Sequence, residues 1–457
     1  MNTHISDAFS LCNIAISSLC FCCTIGICIL ARLCYTKNSS VAYLSDFYKQ
    51  KGFLQMRYDF DTVINRRGTY AMKWALQELA HLAAAFGMDA SGLNEETIPM
   101  MTADMDLQSP QPVIDAMHRV ADHKMYGYSM HIADPRYFTS LCRWFKDRHD
   151  WEITPDQIIN SHGTFGALTH VAHMYAKPGN GIIVMDPVYG HFSQDIVKWG
   201  NEAVRCHLIN DNGYYTINYD LLEKQASDPN NTLLIFCNPH NPVGRVWTYD
   251  EIRKVSEICE KHNVFVISDE VHCDMLRKGV KYTPFLKACV NKARAIAMVG
   301  INKSFNMAGL SCSNAIVQDK ELYMSIMKNY PMTMPTPFAI AGQIAAYEEG
   351  DEWMDQVCEY IEGNIDWAID FFAREMPKVK IHKPEGTYCL WMDFRAYGLT
   401  DKEVHDRIYV KANVLLQDGT VHDPVEGQCF QRMCLPCARS VLETACRRIA
   451  AAFEDVK

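Results

Sequence analysis

The sequence has no excess of basic side chains. It contains 44 Lys and Arg against 54 Asp and Glu in 457 residues, which gives a formal net charge of -10. Nucleic-acid-binding surfaces must be basic to neutralise phosphates, so we expect no nucleic-acid partner. The sequence also lacks internal repeats and long Pro- or Ser-rich linkers, and its 48% of hydrophobic residues suffices for a large core.

The cysteines lack the distribution of a disulfide framework. Such frameworks belong to short secreted chains, and six of the 19 cysteines are confined to the first 34 residues. Cys434 and Cys437 form a Cys-x-x-Cys pair, but a zinc site would need a second pair at matching spacing. We therefore predict reduced structural thiols and no metal site.

Residues 8–31 contain no charged side chain. As a helix they would span about 36 Å, enough for a hydrocarbon core of about 30 Å, which makes a transmembrane anchor one interpretation. Their Ser, Asn and Thr side chains favour the other, an extension that does not insert. A cleaved signal peptide fits less well because no Lys or Arg precedes the run. The nearby basic residues all follow this uncharged run. If the run spans a membrane, their position predicts that the rest of the chain faces the cytoplasm.

Four apolar runs of strand length alternate with amphipathic stretches such as 249–262. The runs cover residues 181–185, 232–236, 264–267 and 295–299. This alternation is typical of an α/β fold with three αβα layers, in which helices cover both faces of a mostly parallel sheet. Ligands bind to such sheets at the carboxyl ends of the strands.

A polar cluster follows each run. The clusters are Asp186-Pro187-Val188-Tyr189, Asn238-Pro239-His240-Asn241, Ser268-Asp269-Glu270-Val271-His272 and Gly300-Ile301-Asn302-Lys303. One such cluster is usually a turn, a helix cap or solvated surface. Four at consecutive strand ends would converge on one cleft, which indicates a binding site.

The clusters contain the groups that pyridoxal phosphate requires. This cofactor needs a Lys, an acid at the pyridine nitrogen, an aromatic ring to stack on it and a phosphate cradle. Lys303, Asp269 and Tyr189 are the candidates for the first three, and Asn241 for a donor to the phenolic oxygen. A helix that begins after Gln157-Ile158-Ile159-Asn160 offers the backbone N–H groups of Thr164 and Phe165 to the phosphate.

Six longer motifs narrow the choice of enzyme family. They are Tyr58-Asp59-Phe60-Asp61, Arg67-Gly68-Thr69, Asp104-Met105-Asp106, Tyr126-Gly127-Tyr128-Ser129, Ser268-Asp269-Glu270-Val271-His272 and Lys303-Ser304-Phe305-Asn306. From Met56 onward the sequence resembles fold-type I pyridoxal-phosphate enzymes of the aminotransferase class I/II superfamily. Within it, the sequence resembles the MalY/PatB branch of cystathionine β-lyases and cysteine-S-conjugate β-lyases. His272 stands where ordinary aminotransferases of the superfamily usually have Tyr.

The resemblance implies a role for each matched residue. Lys303 would form the Schiff base, Asp269 would pair with the pyridinium, Asn241 and His272 would neighbour the phenolic oxygen, and Tyr189 would stack on the ring. Tyr128 would reach the phosphate of the other subunit, which implies a homodimer. Arg432 would bind the substrate α-carboxylate, and Asp104 is assigned to substrate binding with it.

The resemblance also implies a domain plan. We expect an N-terminal extension over 1–55, an arm and part of a small domain over 56–100, a cofactor-binding large domain over 101–345 and a small α+β domain over 346–457. Residues 1–55 carry four basic and two acidic side chains, so the remainder carries a net charge of -12.

Three segments depart from the pattern of the family. Gly300 and Asn302 stand where the family usually has hydroxyl residues that bind the phosphate. The segments 418–423 and 434–439 also differ from the motifs of the family, which bears on substrate preference.

The function that we expect is β-elimination from an L-cysteine thioether such as cystathionine. An aminotransferase would use the same groups and is the alternative. A regulatory or binding protein on the same fold is a second alternative, suggested by Gly300 and Asn302. Asn302-Lys303-Ser304 is formally a glycosylation sequon, and a glycan there would obstruct Lys303, which favours a cytoplasmic location.

Overall fold

The computed structural model describes residues 57–75, 93–330 and 334–456. The chain divides into two units, Met1–Arg57 and Tyr58–Lys457. The predicted extension over 1–55, with its candidate anchor over 8–31, lies outside the described residues. Among the helices of the described ranges, none combines the length and the apolar character needed to cross a membrane.

Fifteen strands and thirteen α-helices build the described part of the second unit. The strands are β1 Ile98–Pro99, β2 Ile158–His162, β3 Gly181–Val184, β4 Glu202–Arg205, β5 Ile209–Asp211, β6 Tyr214–Thr216, β7 Asn231–Cys237, β8 Phe265–Asp269, β9 Ala295–Val299, β10 Cys312–Ile316, β11 Lys380–Ile381, β12 Cys389–Asp393, β13 Val414–Leu415, β14 Gln417–Asp418 and β15 Phe430–Cys434. The helices are α1 Gln111–Asp122, α2 Arg136–His149, α3 Gly163–Tyr175, α4 His191–Lys198, α5 Tyr219–Ala226, α6 Tyr249–Lys261, α7 Phe285–Ala288, α8 Ile301–Ser304, α9 Lys320–Asn329, α10 Pro337–Glu349, α11 Asp351–Glu375, α12 Asp401–Asp406 and α13 Arg439–Ala452.

Seven strands form the main sheet in the order β2-β10-β9-β8-β7-β3-β4. All neighbours are parallel except those of β10, which runs antiparallel to both β2 and β9. The mostly parallel sheet that the sequence predicts is confirmed. Because β3, β7, β8 and β9 run in one direction, the segments that follow them leave the sheet at the same edge.

Both faces of this sheet are buried. Successive side chains of a strand point to opposite faces, and along β3 Ile183 joins one buried cluster while Ile182 joins the other. Helices α3, α4 and α9 contribute to the cluster of Ile182, whereas α2, α6, α10 and α11 contribute to that of Ile183. Helices therefore lie on each side of the sheet.

Helix α6 shows how the sequence fixes an element. Thr248 caps its first turn and forms a capping box with Glu251, which satisfies backbone N–H groups that the helix leaves free. Ile252 and Val255 recur at helical spacing and are buried. The predicted stretch 249–262 ends one residue beyond the helix.

The last third of the chain adds a smaller sheet. Its four strands are antiparallel in the order β11-β12-β15-β14. Arg432 lies in β15, between Trp391 of β12 and Gln417 of β14. A central strand thus carries this arginine, which fixes its backbone on both sides.

Candidate active site

A cavity of about 260 Å³ opens where the strands of the main sheet end. Eight of the ten residues singled out from the sequence line it: Thr164, Phe165, Tyr189, Asn241, Asp269, His272, Lys303 and Arg432. Five separate segments of the main sheet and its connections supply seven of them, and β15 supplies the eighth. The convergence that the strand-end clusters indicate is therefore present in the folded chain.

Lys303 lies in α8, directly after β9. Its ammonium group donates to the carbonyl oxygen of Ala103 (Nζ···O 2.9 Å). The hydroxyl of Tyr388 donates to the same oxygen (3.0 Å). Burial, and then the positive charge of Arg432, lower the pKa of Lys303 below its ordinary value, so a larger share of the amine is neutral and able to accept a proton.

Asp269 is the last residue of β8. Its carboxylate accepts a hydrogen bond from the backbone N–H of Val271 (3.3 Å), and the residue is only 7% exposed. Burial raises the pKa of Asp269 to about 6, against the lowering effects of that hydrogen bond and of Lys303. A cationic partner in the cavity would reverse this shift, since an opposite charge favours the ionised form.

His272 follows three residues after Asp269 and packs edge-on against Tyr388 (ring centroids 5.4 Å apart). Burial, with Lys303 and Arg432 nearby, holds the pKa of His272 well below its usual value. The ring is therefore neutral. Its Nδ1 atom is buried without a hydrogen-bond partner among the described residues.

Arg432 is buried and held by two acceptors. It donates from Nη2 to the carbonyl oxygen of Met101 (2.7 Å) and from Nη1 to Oδ1 of Asn241 (3.1 Å). Within the described part of the chain, its Nε has no hydrogen-bond partner. The guanidinium thus keeps an unused donor, and a planar anion is the partner that its geometry suits.

Helix α3 begins at the cavity wall with Gly163, whose φ of +67° is readily adopted only by glycine. Thr164 and Phe165 in its first turn line the cavity. The ring of Phe165 lies 6.0 Å from that of Tyr189. Tyr189 also contacts His191 (5.1 Å), so a group of aromatic rings forms one side of the site.

Asp104 and Tyr128 are not among the lining residues. The carboxylate of Asp104 forms an ion pair with Arg66 (3.0 Å), and its backbone oxygen accepts from Lys73 (2.7 Å). Tyr128 is 96% exposed. In a single subunit, neither residue belongs to the cavity that the other eight share.

Several lining residues were not singled out from the sequence. They include Met72, Met101, Ala103, His191 and Gln417. Ala103 acts through its backbone oxygen, which carries no side-chain signal. Gln417 is in a strand of two residues and His191 begins a helix, and neither position stands out in a pattern of apolar residues.

His240 of the second strand-end cluster and Cys434 of the Cys-x-x-Cys pair have structural contacts. His240 is buried and its Nε2 lies 3.0 Å from the carbonyl oxygen of Pro187, while burial lowers the pKa of His240 to about 4. Cys434 lies opposite Cys389 on the neighbouring strand, with the sulfur atoms 3.5 Å apart. Among the described residues all thirteen cysteines are free thiols.

The sequence matches the family model for aminotransferase class I and II over residues 96–449. The cystathionine beta-lyase PatB of Bacillus subtilis is 35% identical over 400 residues, which cover 86% of this chain and 100% of PatB. The match therefore extends over the whole length of that relative.

Solved structures of two pyridoxal-phosphate proteins are also similar to this chain over nearly their whole length. Cystalysin from Treponema denticola, which contains a pyridoxal 5'-phosphate cofactor, superposes with a TM-score of 0.81 and 32% identity over 88% of this chain and 100% of its own. A pyridoxal-phosphate-bound C–S lyase from Staphylococcus hominis has a TM-score of 0.81 and 30% identity over 87% and 98% of the two chains.

Proposed function

This chain belongs to the aminotransferase class I and II family, and we propose that it is a pyridoxal-phosphate-dependent carbon–sulfur β-lyase. Its substrate is L-cystathionine or another S-conjugate of L-cysteine, and its products are a thiol, pyruvate and ammonia. The observation that carries this proposal is the meeting of Lys303, Asp269 and Arg432 in one cavity. PatB and the two solved lyases support the choice of elimination.

The residues present fit the cofactor. Three polar atoms at the cavity, His272 Nδ1, Arg432 Nε and Asn302 Oδ1, are buried and find no partner among the described residues. Buried polar atoms are normally hydrogen-bonded, so these atoms indicate a ligand with several polar groups.

Each part of the cofactor has residues that would bind it. The Asp269 carboxylate would keep a proton on the pyridine nitrogen, and Tyr189 would cover the ring. Asn241 and His272 would lie at the phenolic oxygen, and the N-terminus of α3 at Thr164 and Phe165 would bind the phosphate. When bound, pyridoxal phosphate supplies an electron-withdrawing ring that accepts the electron pair of the broken Cα–H bond.

The chain's own side chains position the substrate and move its proton. Arg432 binds the α-carboxylate through the guanidinium that Met101 and Asn241 already orient. The Lys303 amine takes the proton from Cα, which its lowered pKa favours. The Cβ–S bond then breaks and the thiolate leaves. With cystathionine and one water, the balance is homocysteine, pyruvate and ammonia.

The decisive assay is incubation of the purified holoenzyme with cystathionine and no added 2-oxo acid. Elimination predicts pyruvate and a free thiol in equal amounts. Strict dependence on a 2-oxo acid would instead establish an aminotransferase. A Lys303→Ala variant provides the control, since loss of the proton acceptor should reduce turnover by at least about 100-fold.

An absorption spectrum distinguishes a lyase from a binding protein with little turnover. The wild-type protein with added cofactor should absorb near the visible edge, and Lys303→Ala should abolish that band. A colourless protein that ignores the cofactor would contradict the proposal.

The proposed active unit is a homodimer. Tyr128 is nearly fully exposed, and its neighbours Met125, Tyr126, Met130 and Ile132 are all more than half exposed. Exposed apolar residues in such a run favour a protein contact. A second copy that covers this segment would bring Tyr128 to the phosphate of its partner.

The proposed location of the enzyme is the cytoplasm. Thirteen free cysteines among the described residues suit a reducing compartment. Asn302 lies beside Lys303 at the cavity, where a glycan would block the site. The membrane anchor over 8–31 stays a prediction, tested by whether the full chain sediments with membranes and residues 58–457 do not.

A further inference from the structure

Gly300 has a packing reason to be glycine. It joins β9 to α8 with a φ of 173°, an extended conformation that any residue adopts. A Cβ atom at this position, however, would lie 2.9 Å from Oγ of Ser313, 3.1 Å from Cα of Ser313 and 3.2 Å from the carbonyl oxygen of Cys312. The hydroxyl of Ser313, together with the backbone of the neighbouring strand β10, therefore occupies the space of a side chain at position 300.

Ser313 is fully buried and contacts two residues of the cavity wall. Nδ2 of Asn302 donates to its Oγ (2.8 Å), and Oγ1 of Thr164 lies 3.2 Å from the same oxygen. Thr164 and Asn302 line the cavity, whereas Ser313 does not. Ser313 thus lies behind the two side chains at the end of the cavity where α3 begins.

The amide of Asn302 is only half satisfied. Its Oδ1 is buried and has no hydrogen-bond partner within the described residues, and an unpaired buried acceptor is costly. A hydroxyl both donates and accepts. In the observed orientation Nδ2 of Asn302 donates to Ser313, so the serine proton can go to Oγ1 of Thr164. The proton of the Thr164 hydroxyl then stays available to an anion in the cavity.

Resting on the proposed function, we infer that Ser313 is a positioning residue for the cofactor phosphate. Its hydroxyl takes the place of the one that position 300 lacks, because it accepts from the Asn302 amide and donates to the Thr164 hydroxyl, whose own proton is then directed to the phosphate oxygens. In this chain the hydroxyl stands on the adjacent strand and not in the loop, and Gly300 leaves the space that Ser313 needs.

The test is a titration of cofactor-free protein with pyridoxal phosphate and, separately, with pyridoxal, which has no phosphate. Tryptophan fluorescence reports binding without any turnover. Ser313→Ala should weaken binding of pyridoxal phosphate about tenfold, because the Thr164 hydroxyl loses the partner that directs its proton into a charge-assisted hydrogen bond with the phosphate. It should leave the affinity for pyridoxal unchanged.

A second pair of variants tests the exchange between the two positions. Gly300→Ser alone should weaken binding of pyridoxal phosphate, since its Cβ meets Ser313. In the Ser313→Ala background the same change should regain part of the affinity, because that Oγ is gone and a hydroxyl returns. Ser256→Ala is the matched control: this buried serine accepts from the backbone N–H of Val290 (2.9 Å) far along the chain from the site, and its loss should leave both affinities unchanged.

Equal weakening of both ligands by Ser313→Ala would show a general packing role and overturn the inference, as would unchanged affinity for pyridoxal phosphate. A wild-type protein that binds neither ligand would overturn the proposed function first. If Ser313→Ala does not fold, Ser313→Cys, with a weaker donor of similar size, should show the same selective loss.

Discussion

The carboxyl group of Asp269 is almost wholly removed from water at the end of β8. Its pKa of about 6 lies above the ordinary 3.8. Between these pH values the folded protein binds more protons than the unfolded chain, so the stability of the cofactor-free protein falls as pH rises through this range. The residue that would hold the pyridinium therefore destabilises the empty site at neutral pH.

Asp269→Asn should make the cofactor-free protein more stable at pH 8, by about 2 kcal/mol, because no charge is then buried. At pH 4 the carboxyl is neutral in the folded state, and the gain should nearly vanish. Urea unfolding at both pH values measures the difference, with Asp122→Asn, an exposed site, as the control. The same variant should lose most lyase activity; equal stability at pH 8 would refute the argument.

The sequence was informative about residues whose side chains are chemically distinctive. Lys303, Asp269, Asn241 and Tyr189 follow apolar runs and meet in the cavity. The sequence could not indicate the Ala103 carbonyl oxygen that holds Lys303, because every residue has such an oxygen. Nor could it indicate Ser313, whose importance depends on the strand beside it.

At the scale of elements, two helices begin with the same capping box. Glu251 accepts from the backbone N–H and the hydroxyl of Thr248 at the start of α6, and Glu403 does so from Thr400 at the start of α12. Of the two glutamates, only Glu251 also accepts a hydrogen bond from Arg245 (3.1 Å), whose side chain is 3% exposed.

Glu403→Ala should lower the free energy of unfolding by about 1 kcal/mol, the usual value of a cap. Glu251→Ala should cost about 3 kcal/mol, because it also leaves the buried Arg245 with Glu385 as its remaining carboxylate. Urea denaturation of both variants gives the comparison. Equal losses would mean that the buried ion pair adds nothing to the cap.

Elements were predictable where one pattern dominates. The apolar run over 295–299 coincides with β9, and those over 232–236 and 181–185 match β7 and β3 to within a residue at each end. Strand β10 was not predicted, since Cys312-Ser313-Asn314 interrupts the apolar pattern with polar groups. These groups are satisfied by side chains: Tyr137 and Gln343 bond to Asn314, which a single sequence does not reveal.

For the whole molecule, the proposed dimer makes a prediction about mixed subunits. Lys303→Ala and Tyr128→Ala proteins should each have little activity. If Tyr128 acts on the partner's site, a mixed dimer contains one site with both residues intact. Unfolding and refolding the two together should then restore about a quarter of wild-type activity, since about half of the dimers are mixed.

Refolding each variant alone is the control for this experiment. If Tyr128 served its own subunit, every site in the mixture would lack one residue, and activity would stay at the level of the separate variants. Sedimentation of the wild-type protein establishes the dimer independently.

The residues that line the cavity differ in how freely they can be substituted. Asp269 ends β8, Arg432 lies in the central strand β15, and Lys303 lies in α8 directly after β9. Replacing the buried residues that pack around these three disturbs folding. Met72 and Gln417 belong to a short 3-10 turn and a two-residue strand. We therefore expect that evolution can change the preferred thioether by substitution at those two positions without changing the reaction.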